Sequence, residues 1–176
     1  MAGSARYTAI LDACVLYPAT LRDLLLSLAR DGLFHARWSE RIQDEWVRSL
    51  LKRRPELEEV ALRRTCELMA KAVPDSVVHG WQSIEPGLTG LPDADDRHVL
   101  AAAICGHADA INDFPAEALA PFGVEAQHPD DFLLNQLELN QIGGTQVHQG
   151  DARVGATRSS PRSTWPLPWN SCNCRW

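Results

Sequence analysis

The feature that most constrains this chain is the alternation of short apolar runs with longer segments of helical periodicity. Residues 7–11 form an apolar, partly β-branched run that stops at Asp12, which is typical of a buried strand in a parallel sheet. Similar short runs at 76–78, 109–111 and 124–126 predict further strands. Helical patterns occupy 20–30, 39–54, 56–72, 99–104 and 129–137. This alternation predicts an α/β fold with a mainly parallel central sheet.

The predicted helix boundaries depend on capping and breaking residues. Thr20, with Asp23 three residues later, resembles a capping box, and Ser39 is a typical N-cap for the second helix. We expect that second helix to end near Arg54, because Pro55 disfavours helical backbone in the residue before it. Glu45 then lies within a helix, and Asp12 at the end of a strand.

Length and charge limit the class of protein. At 176 residues the chain is expected to form one domain with its own core. The net charge of −6 argues against a protein that grips nucleic acid by general basicity, because phosphate binding depends on clustered Lys and Arg. Any nucleic-acid contact must be local, although a basic stretch is more often the solvated face of helices. The candidate residues are Arg48, Lys52, Arg53, Arg54, Arg63 and Arg64.

The N-terminus and the cysteines predict a cytoplasmic location. Residues 1–7 contain no apolar core of signal-peptide length, and no run of about 18 apolar residues is present that could span a bilayer. The five cysteines are odd in number and irregularly spaced, which fits neither a disulfide framework nor paired zinc knuckles. We therefore predict that they are reduced thiols.

The composition changes at about residue 141. The segment 141–176 lacks apolar periodicity and carries four Arg against one Asp. We therefore divide the chain into a folded domain, 1–140, and a disordered or aberrant tail, 141–176. The tail contains Trp165, Trp169 and Trp176, although disordered segments are normally poor in aromatics. An out-of-frame or vector-derived extension and a peptide that docks on a partner are the two interpretations left open.

Acidic residues near the ends of predicted elements are candidates for a shared site. Carboxylates that follow parallel strands or precede helices can meet at one edge of a sheet. Hard divalent cations prefer such oxygens, and a pair of these cations about 4 Å apart can activate water for phosphodiester hydrolysis. Taken singly, each acid has an ordinary interpretation as a turn, cap or helix-surface residue. The candidates are Asp12, Glu45, Asp96 and Asp113.

Four short segments around these acids occur in a characteristic order. They are Ile10-Leu11-Asp12-Ala13-Cys14-Val15-Leu16, the helix carrying Glu45-Trp46, Asp93-Ala94-Asp95-Asp96-Arg97-His98-Val99-Leu100-Ala101-Ala102-Ala103, and Asp113-Phe114-Pro115. Together they resemble the PIN domain family, and within it the branch of VapC-like ribonuclease toxins. The resemblance extends over about residues 6–138.

The resemblance implies a Rossmann-like, three-layer α/β/α domain that cuts RNA with bound Mg²⁺ or Mn²⁺. Asp93 and Asp95 would be substitutes or auxiliaries for Asp96. The partners implied are an RNA substrate and a cognate antitoxin, often together with a second copy of the toxin, and no membrane. The leading hypothesis is therefore the toxin of a type II toxin–antitoxin system. The metal ligands and catalytic residues implied are Asp12, Glu45, Asp96 and Asp113.

Two departures from the family pattern bear on activity. The family usually continues the strand before the fourth acid into a Thr-x-Asn segment, whereas here Ile111 is followed directly by Asn112 and Asp113. About five residues are absent, which removes up to ~17 Å of chain at about 3.3 Å per extended residue. Asp113 is therefore expected to be drawn away from the other three acids. The tail after residue 141 replaces the helical ending usual in the family.

Other hypotheses remain beside the nuclease. The shortened fourth motif is also compatible with a catalytically impaired PIN scaffold that only binds a protein partner. A phosphatase with an aspartyl nucleophile is disfavoured because Asp12 lacks a second Asp two residues later. A nucleotide-binding Rossmann protein is disfavoured because no GxGxxG follows the first strand. His98 is interpreted as structural rather than as a general base, since it belongs to no zinc-type spacing.

Overall fold

The structure, a computed structural model, describes residues 7–112 and 114–143. Within these residues, four parallel strands form one sheet: β1 (Thr8–Ile10), β2 (His35–Arg37), β3 (Ala110–Asn112) and β4 (Glu125–Gln127). Their order in the sheet is β2-β1-β3-β4. Ile10 pairs with Arg37 on one side and with Ile111 on the other. β1 is therefore an inner strand, and the chain leaves it at the middle of the C-terminal edge of the sheet.

Helices connect and flank these strands. Parallel neighbours need long crossover connections, and helices α1 and α2 connect β1 to β2 while α3, α4 and α5 lie between β2 and β3. The sheet and its flanking helices confirm the predicted α/β fold with a parallel sheet. The helices are α1 (Ala13–Leu16), α2 (Ala19–Arg30), α3 (Glu40–Arg53), α4 (Glu59–Ala72), α5 (Arg97–Cys105), α6 (Ala116–Leu119) and α7 (Pro129–Gly143).

Two strand predictions need correction. β2 was not expected, because one alanine between two polar residues carries no strand pattern, yet the backbone of His35 and Ala36 pairs with β1. Conversely, residues 76–78 were expected to form a strand and contribute only an isolated bridge between Trp38 and Val77. Both differences have the same cause, since strand pairing depends on the neighbouring backbone more than on three side chains.

The helix ends follow the predicted signals in part. The Ser39 hydroxyl accepts a hydrogen bond from the Ile42 N–H at 3.2 Å, so the predicted cap of α3 is confirmed. The capping box predicted at Thr20 is wrong, because α2 already begins at Ala19 with Pro18 in the N-cap position. Proline restricts φ to values that lead into a helix, and it thereby moves the start of α2 ahead of Thr20.

Helix α5 packs closely on the sheet because its side chains are small. It contacts β1 and β3, and its three consecutive alanines, 101–103, are fully buried. A Cβ on Gly106 would lie 2.9 Å from the Ala102 carbonyl oxygen and 3.0 Å from Val78 Cγ2, so a larger residue would clash there. Because α5 leads into β3, its last turn lies near the start of β3. Its first turn, after Asp96, therefore lies towards the opposite, C-terminal edge of the sheet.

Some predictions concern residues outside the described part of the chain. Asp113 and residues 144–176 are among them, so the position of the fourth acid and the nature of the tail stay predictions. Among the helices at 7–112 and 114–143, none has the length and apolar character that crossing a membrane requires.

The cysteines differ from the prediction at one position. Cys66 and Cys105 are free thiols, but Cys14 is disulfide-bonded. The expectation that all five are reduced is therefore wrong for Cys14. An odd cysteine count leaves one thiol over and does not prevent the others from pairing.

Candidate active site

Three of the four predicted acids lie on elements that contact one another. Asp12 lies two residues after the end of β1 and occupies the N-cap position of α1. Helix α1 packs against α3, which carries Glu45. Helix α5, which begins after Asp96, packs against β1. The fold therefore places Asp12, Glu45 and Asp96 around the C-terminal end of β1, while Asp113 lies outside the described residues.

Asp12 and Asp96 hold N-cap positions without acting as caps. Neither side chain makes a capping hydrogen bond to its helix, in contrast to Ser39. A capping aspartate accepts a backbone N–H in the first turn, and its loss typically costs about 1 kcal/mol. The ordinary interpretation of these two acids as helix caps is therefore excluded. Asp12 is also only 5% exposed, and a carboxylate is rarely so buried unless it is paired.

Glu45 is held by two basic side chains. Nε2 of the fully buried His98 lies 2.9 Å from Glu45 Oε1, so the proton of this ring nitrogen points at the carboxylate. Arg41, one helical turn earlier in α3, places its Nε 3.8 Å from the same oxygen. The Arg41 Nη1 also donates to Glu85 Oε1 at 2.9 Å. Glu45 thus has a fixed orientation and lies within one turn of the start of α5.

The pKa of Asp96 is raised by its burial and then by other acids nearby. Burial raises the pKa of Asp96 to about 6, and the negative charges of Asp93, Glu45 and Asp95 act in the same direction. His98 has the opposite effect. A like charge raises the pKa of a carboxylate only at short range, so Glu45 lies in the acidic environment of Asp96.

The two acids next to Asp96 have different surroundings. The Asp93 carboxylate accepts the backbone N–H of Asp95 at 2.9 Å, which stabilises the turn before α5. Asp95 itself is exposed. Asp93 therefore has a structural role in this loop in addition to its effect on the pKa of Asp96.

The carboxylates of this region are ligands of the type that a hard cation prefers, but the described ones are not arranged as a complete set of metal ligands. Carboxylate oxygens are the ligands that Mg²⁺ prefers, and Glu45 and Asp96 are electrostatically coupled. Within residues 7–112 and 114–143, however, no three His, Cys, Asp or Glu side chains are grouped as metal ligands. The described residues therefore supply a coupled pair of carboxylates with Asp12 on an adjoining element, and not a preformed three-ligand site.

Asn112 marks the end of β3 as an unusual position. The residue is fully buried, and neither its amide nitrogen nor its amide oxygen has a hydrogen-bond partner within the described part of the chain. It pairs in register with Gln127 of β4, whose amide oxygen is likewise buried without a partner there. This is the point at which the sequence resemblance implies missing residues.

The basic stretch that was considered for nucleic-acid contact is partly neutralised. Arg48 and Arg63 both form ion pairs with Asp44, and Arg54 pairs with Glu56. The guanidinium of Arg53 lies over the ring of Tyr17, 5.7 Å from its centroid. The stretch is therefore mainly a solvated, ion-paired helix surface, as its composition favoured.

Sequence reasoning missed Arg41 and the direct contact between His98 and Glu45. Arg41 precedes Glu45 by four residues, a spacing that predicts an ion pair on one helix face. His98 belongs to a distant segment, and no local signal connects it to Glu45. Its interpretation as a structural residue agrees with its burial and with its contact to the carboxylate.

Comparison with known proteins gives one informative similarity. No family model matches the chain. Over 49 residues, it is 53% identical to the protein named "Putative ribonuclease VapC50" of Mycobacterium tuberculosis (strain ATCC 25618 / H37Rv). The match covers 25% of this chain and 29% of that relative's length. At a coarse level, the similarity supports the ribonuclease class and the resemblance to VapC-like proteins.

Proposed function

We propose that this chain is a Mg²⁺- or Mn²⁺-dependent endoribonuclease, the toxin component of a type II toxin–antitoxin system. The observation that carries the proposal is the placement of Asp12 and Asp96 at helix N-termini that they do not cap, on elements that contact the helix of Glu45. The partial similarity to a protein named as a ribonuclease supports the same class.

The roles of the residues follow from their contacts. Asp12, Glu45 and Asp96 would hold the cation, and Asp113 is proposed as a fourth ligand. A bound divalent cation supplies an activated water and stabilises the leaving oxygen in phosphodiester hydrolysis. His98 orients Glu45 through its Nε2 proton. Asp96 binds a proton near pH 6 in the absence of a cation, because burial and neighbouring acids disfavour its charged form.

The proposed partners follow from the proposed class. The substrate would be single-stranded or loop RNA, and the protein partner an antitoxin that neutralises the toxin. A homodimer is a further proposal. The net charge of −6 limits phosphate contacts to local groups, of which Arg53 and Lys52 lie near the end of α3.

A second candidate function is a catalytically impaired scaffold that binds a protein partner. Two observations favour it: the described residues contain no three-ligand group, and the short β3 ends in an asparagine whose amide has no partner among them. In this case the acids would remain without a cation, and the protein would bind an antitoxin without cutting RNA.

Cleavage of single-stranded RNA at millimolar Mg²⁺ or Mn²⁺, with and without EDTA, tests the proposal. We expect metal-dependent cleavage by the wild type and a loss of at least about a hundredfold in Asp12→Asn, because even groups that only orient metal ligands contribute about ten- to a hundredfold. The matched control is Asp31→Asn, an exposed aspartate after α2, with unchanged cleavage. Cleavage retained by Asp12→Asn contradicts the assignment, and a wild type that neither cleaves RNA nor binds Mn²⁺ supports the scaffold.

A further inference from the structure

Arg22 is a buried cation without a close acidic partner. The residue is only 8% exposed, and it lies in α2 outside the group of acids described above. Its nearest ion-pair partner, Asp23, is 3.9 Å away and has a side chain that is 75% exposed. Its Nε is buried and makes no hydrogen bond within the described part of the chain. Burial lowers the pKa of Arg22 from its ordinary value, which is a sign of incomplete compensation.

Burial of a charge is unfavourable unless other contacts offset it. Arg22 makes two such contacts, and they lead to different elements. Its Nη1 donates to the Leu16 carbonyl oxygen at 2.9 Å. Its guanidinium carbon lies 4.8 Å from the centroid of the Trp46 ring, in the geometry of a cation–π contact.

Both contacts are made to helices that adjoin or carry proposed ligands. Leu16 is the last residue of α1, the four-residue helix that begins directly after Asp12. Trp46 is fully buried and follows Glu45 in α3. A planar guanidinium can donate at its edge and stack on its face at the same time, which a lysine cannot do. Arg22 therefore connects the end of α1 with the part of α3 that carries Glu45.

We propose that Arg22 is a positioning residue that fixes Asp12 relative to Glu45 by binding α1 to Trp46. The expected effect on metal affinity rests on the proposed function. The expected effect on α1 rests only on the contacts that Arg22 makes. Arg22 itself is too buried to touch an RNA substrate.

The test compares three variants of the full chain in the same redox buffer, because Cys14 in α1 is disulfide-bonded. Arg22→Met removes the charge and keeps a long, flexible side chain, and Arg22→Lys keeps a donor without the planar face. Arg30→Met is the matched control, since Arg30 belongs to the same helix but is exposed and pairs with Asp31. The readouts are amide hydrogen exchange, Mn²⁺ affinity by calorimetry, and the Tm.

The expected result separates positioning from general stability. In Arg22→Met, exchange of the amides of Val15 and Leu16 in α1, and of Tyr17 directly after it, should rise about tenfold or more while the amides of β3 keep wild-type rates. The Mn²⁺ affinity should fall by about ten- to a hundredfold, as for other groups that orient ligands. The Tm should stay within about 4 °C of the wild type or rise, since replacement of a buried, poorly paired charge by an apolar side chain is often neutral. The exchange rates and the Mn²⁺ affinity of Arg22→Lys should lie between those of the wild type and Arg22→Met. Arg30→Met should match the wild type in all three measurements.

Two results would overturn the inference. One is α1 exchange at the wild-type rate in Arg22→Met. The other is exchange that rises equally in all elements with unchanged Mn²⁺ affinity, which is the behaviour of a purely structural residue. If the wild type binds no Mn²⁺, the proposed function fails, while the exchange of α1 still decides whether Arg22 holds that helix.

Discussion

The contact between α3 and α5 and the end of β3 differ in how far their buried polar side chains are satisfied. At the first, the fully buried His98 places its Nε2 2.9 Å from Glu45 Oε1, and Arg41 lies near the same carboxylate, while His98 Nδ1 has no hydrogen-bond partner within the described residues. At the second, Asn112 is equally buried and both of its amide atoms lack partners within the described residues. The first region therefore pairs one nitrogen of its buried side chain with an acid, whereas the second leaves both amide atoms without partners at the position where the sequence resemblance implies missing residues.

The difference bears on which function the chain retains. A buried polar group without a partner costs about 1–3 kcal/mol, so natural folds rarely keep one unless it binds something. The α3–α5 contact orients Glu45 without any further ligand. The end of β3, in contrast, needs a water, an ion or a nearby group to satisfy Asn112. The following predictions test this contrast, beginning with the largest effect.

Removal of His98 should have the largest effect. In His98→Ala, the ring that binds Glu45 is lost from a fully buried position, and we expect the free energy of unfolding to fall by about 1–3 kcal/mol. Urea denaturation measures this change. The matched control is His79→Ala, because His79 is exposed and should change stability by less than about 0.5 kcal/mol. If the two variants are equally stable, the contact between His98 and Glu45 does not contribute to the stability of the fold.

Replacement of Asn112 should have a smaller effect of opposite sign. Asn112→Leu removes two buried polar atoms without partners and keeps a similar shape, so we expect stability to rise by about 1 kcal/mol. Asn135→Leu, at an exposed position of α7, is the control and should be near neutral. A clear loss of stability in Asn112→Leu would mean that the amide has a partner in solution, and the contrast between the two regions would disappear.

The pH dependence of stability provides the third test. The pKa of Asp96 is raised from its ordinary value of 3.8 to about 6, mainly by burial and then by the charge of Asp93. The folded chain therefore holds more protons than the unfolded chain between about pH 4 and pH 6. The contribution of Asp96 to stability is fully present below about pH 4 and is lost as the pH rises through about 6.

Thermal unfolding in EDTA across this pH range measures the effect. Asp96→Asn should remove this part of the pH dependence, while Asp31→Asn, at an exposed position, should retain it. A pH profile of Asp96→Asn identical to that of the wild type would contradict the acidic environment assigned to Asp96.

Much of the fold was predictable because its helices carry long periodic signals. The pattern at 39–54 predicted α3 together with its cap at Ser39, and the pattern at 56–72 predicted most of α4. The strands were less predictable because each has three residues, too few for an apolar pattern. β2 exists through backbone pairing with β1, which its own side chains do not indicate.

The acids of the candidate site were predictable from the sequence, but the residues that position them were not. Asp12 and Asp96 stand out because each adjoins an apolar segment, and the order of the segments connects them to Glu45. Arg22 and His98 carry no such signal, because their roles depend on contacts across 24 and 53 positions of the chain, to Trp46 and Glu45. Only the folded structure brings these side chains together.

Binding of Mn²⁺ to the wild type and to Asp12→Asn, Glu45→Gln and Asp96→Asn tests the central claim most directly. If acids from three separate segments share one cation, calorimetry should detect binding by the wild type and an affinity at least about tenfold lower in each variant. Wild-type affinity in all three variants, or no binding by the wild type at millimolar Mn²⁺, would contradict the account.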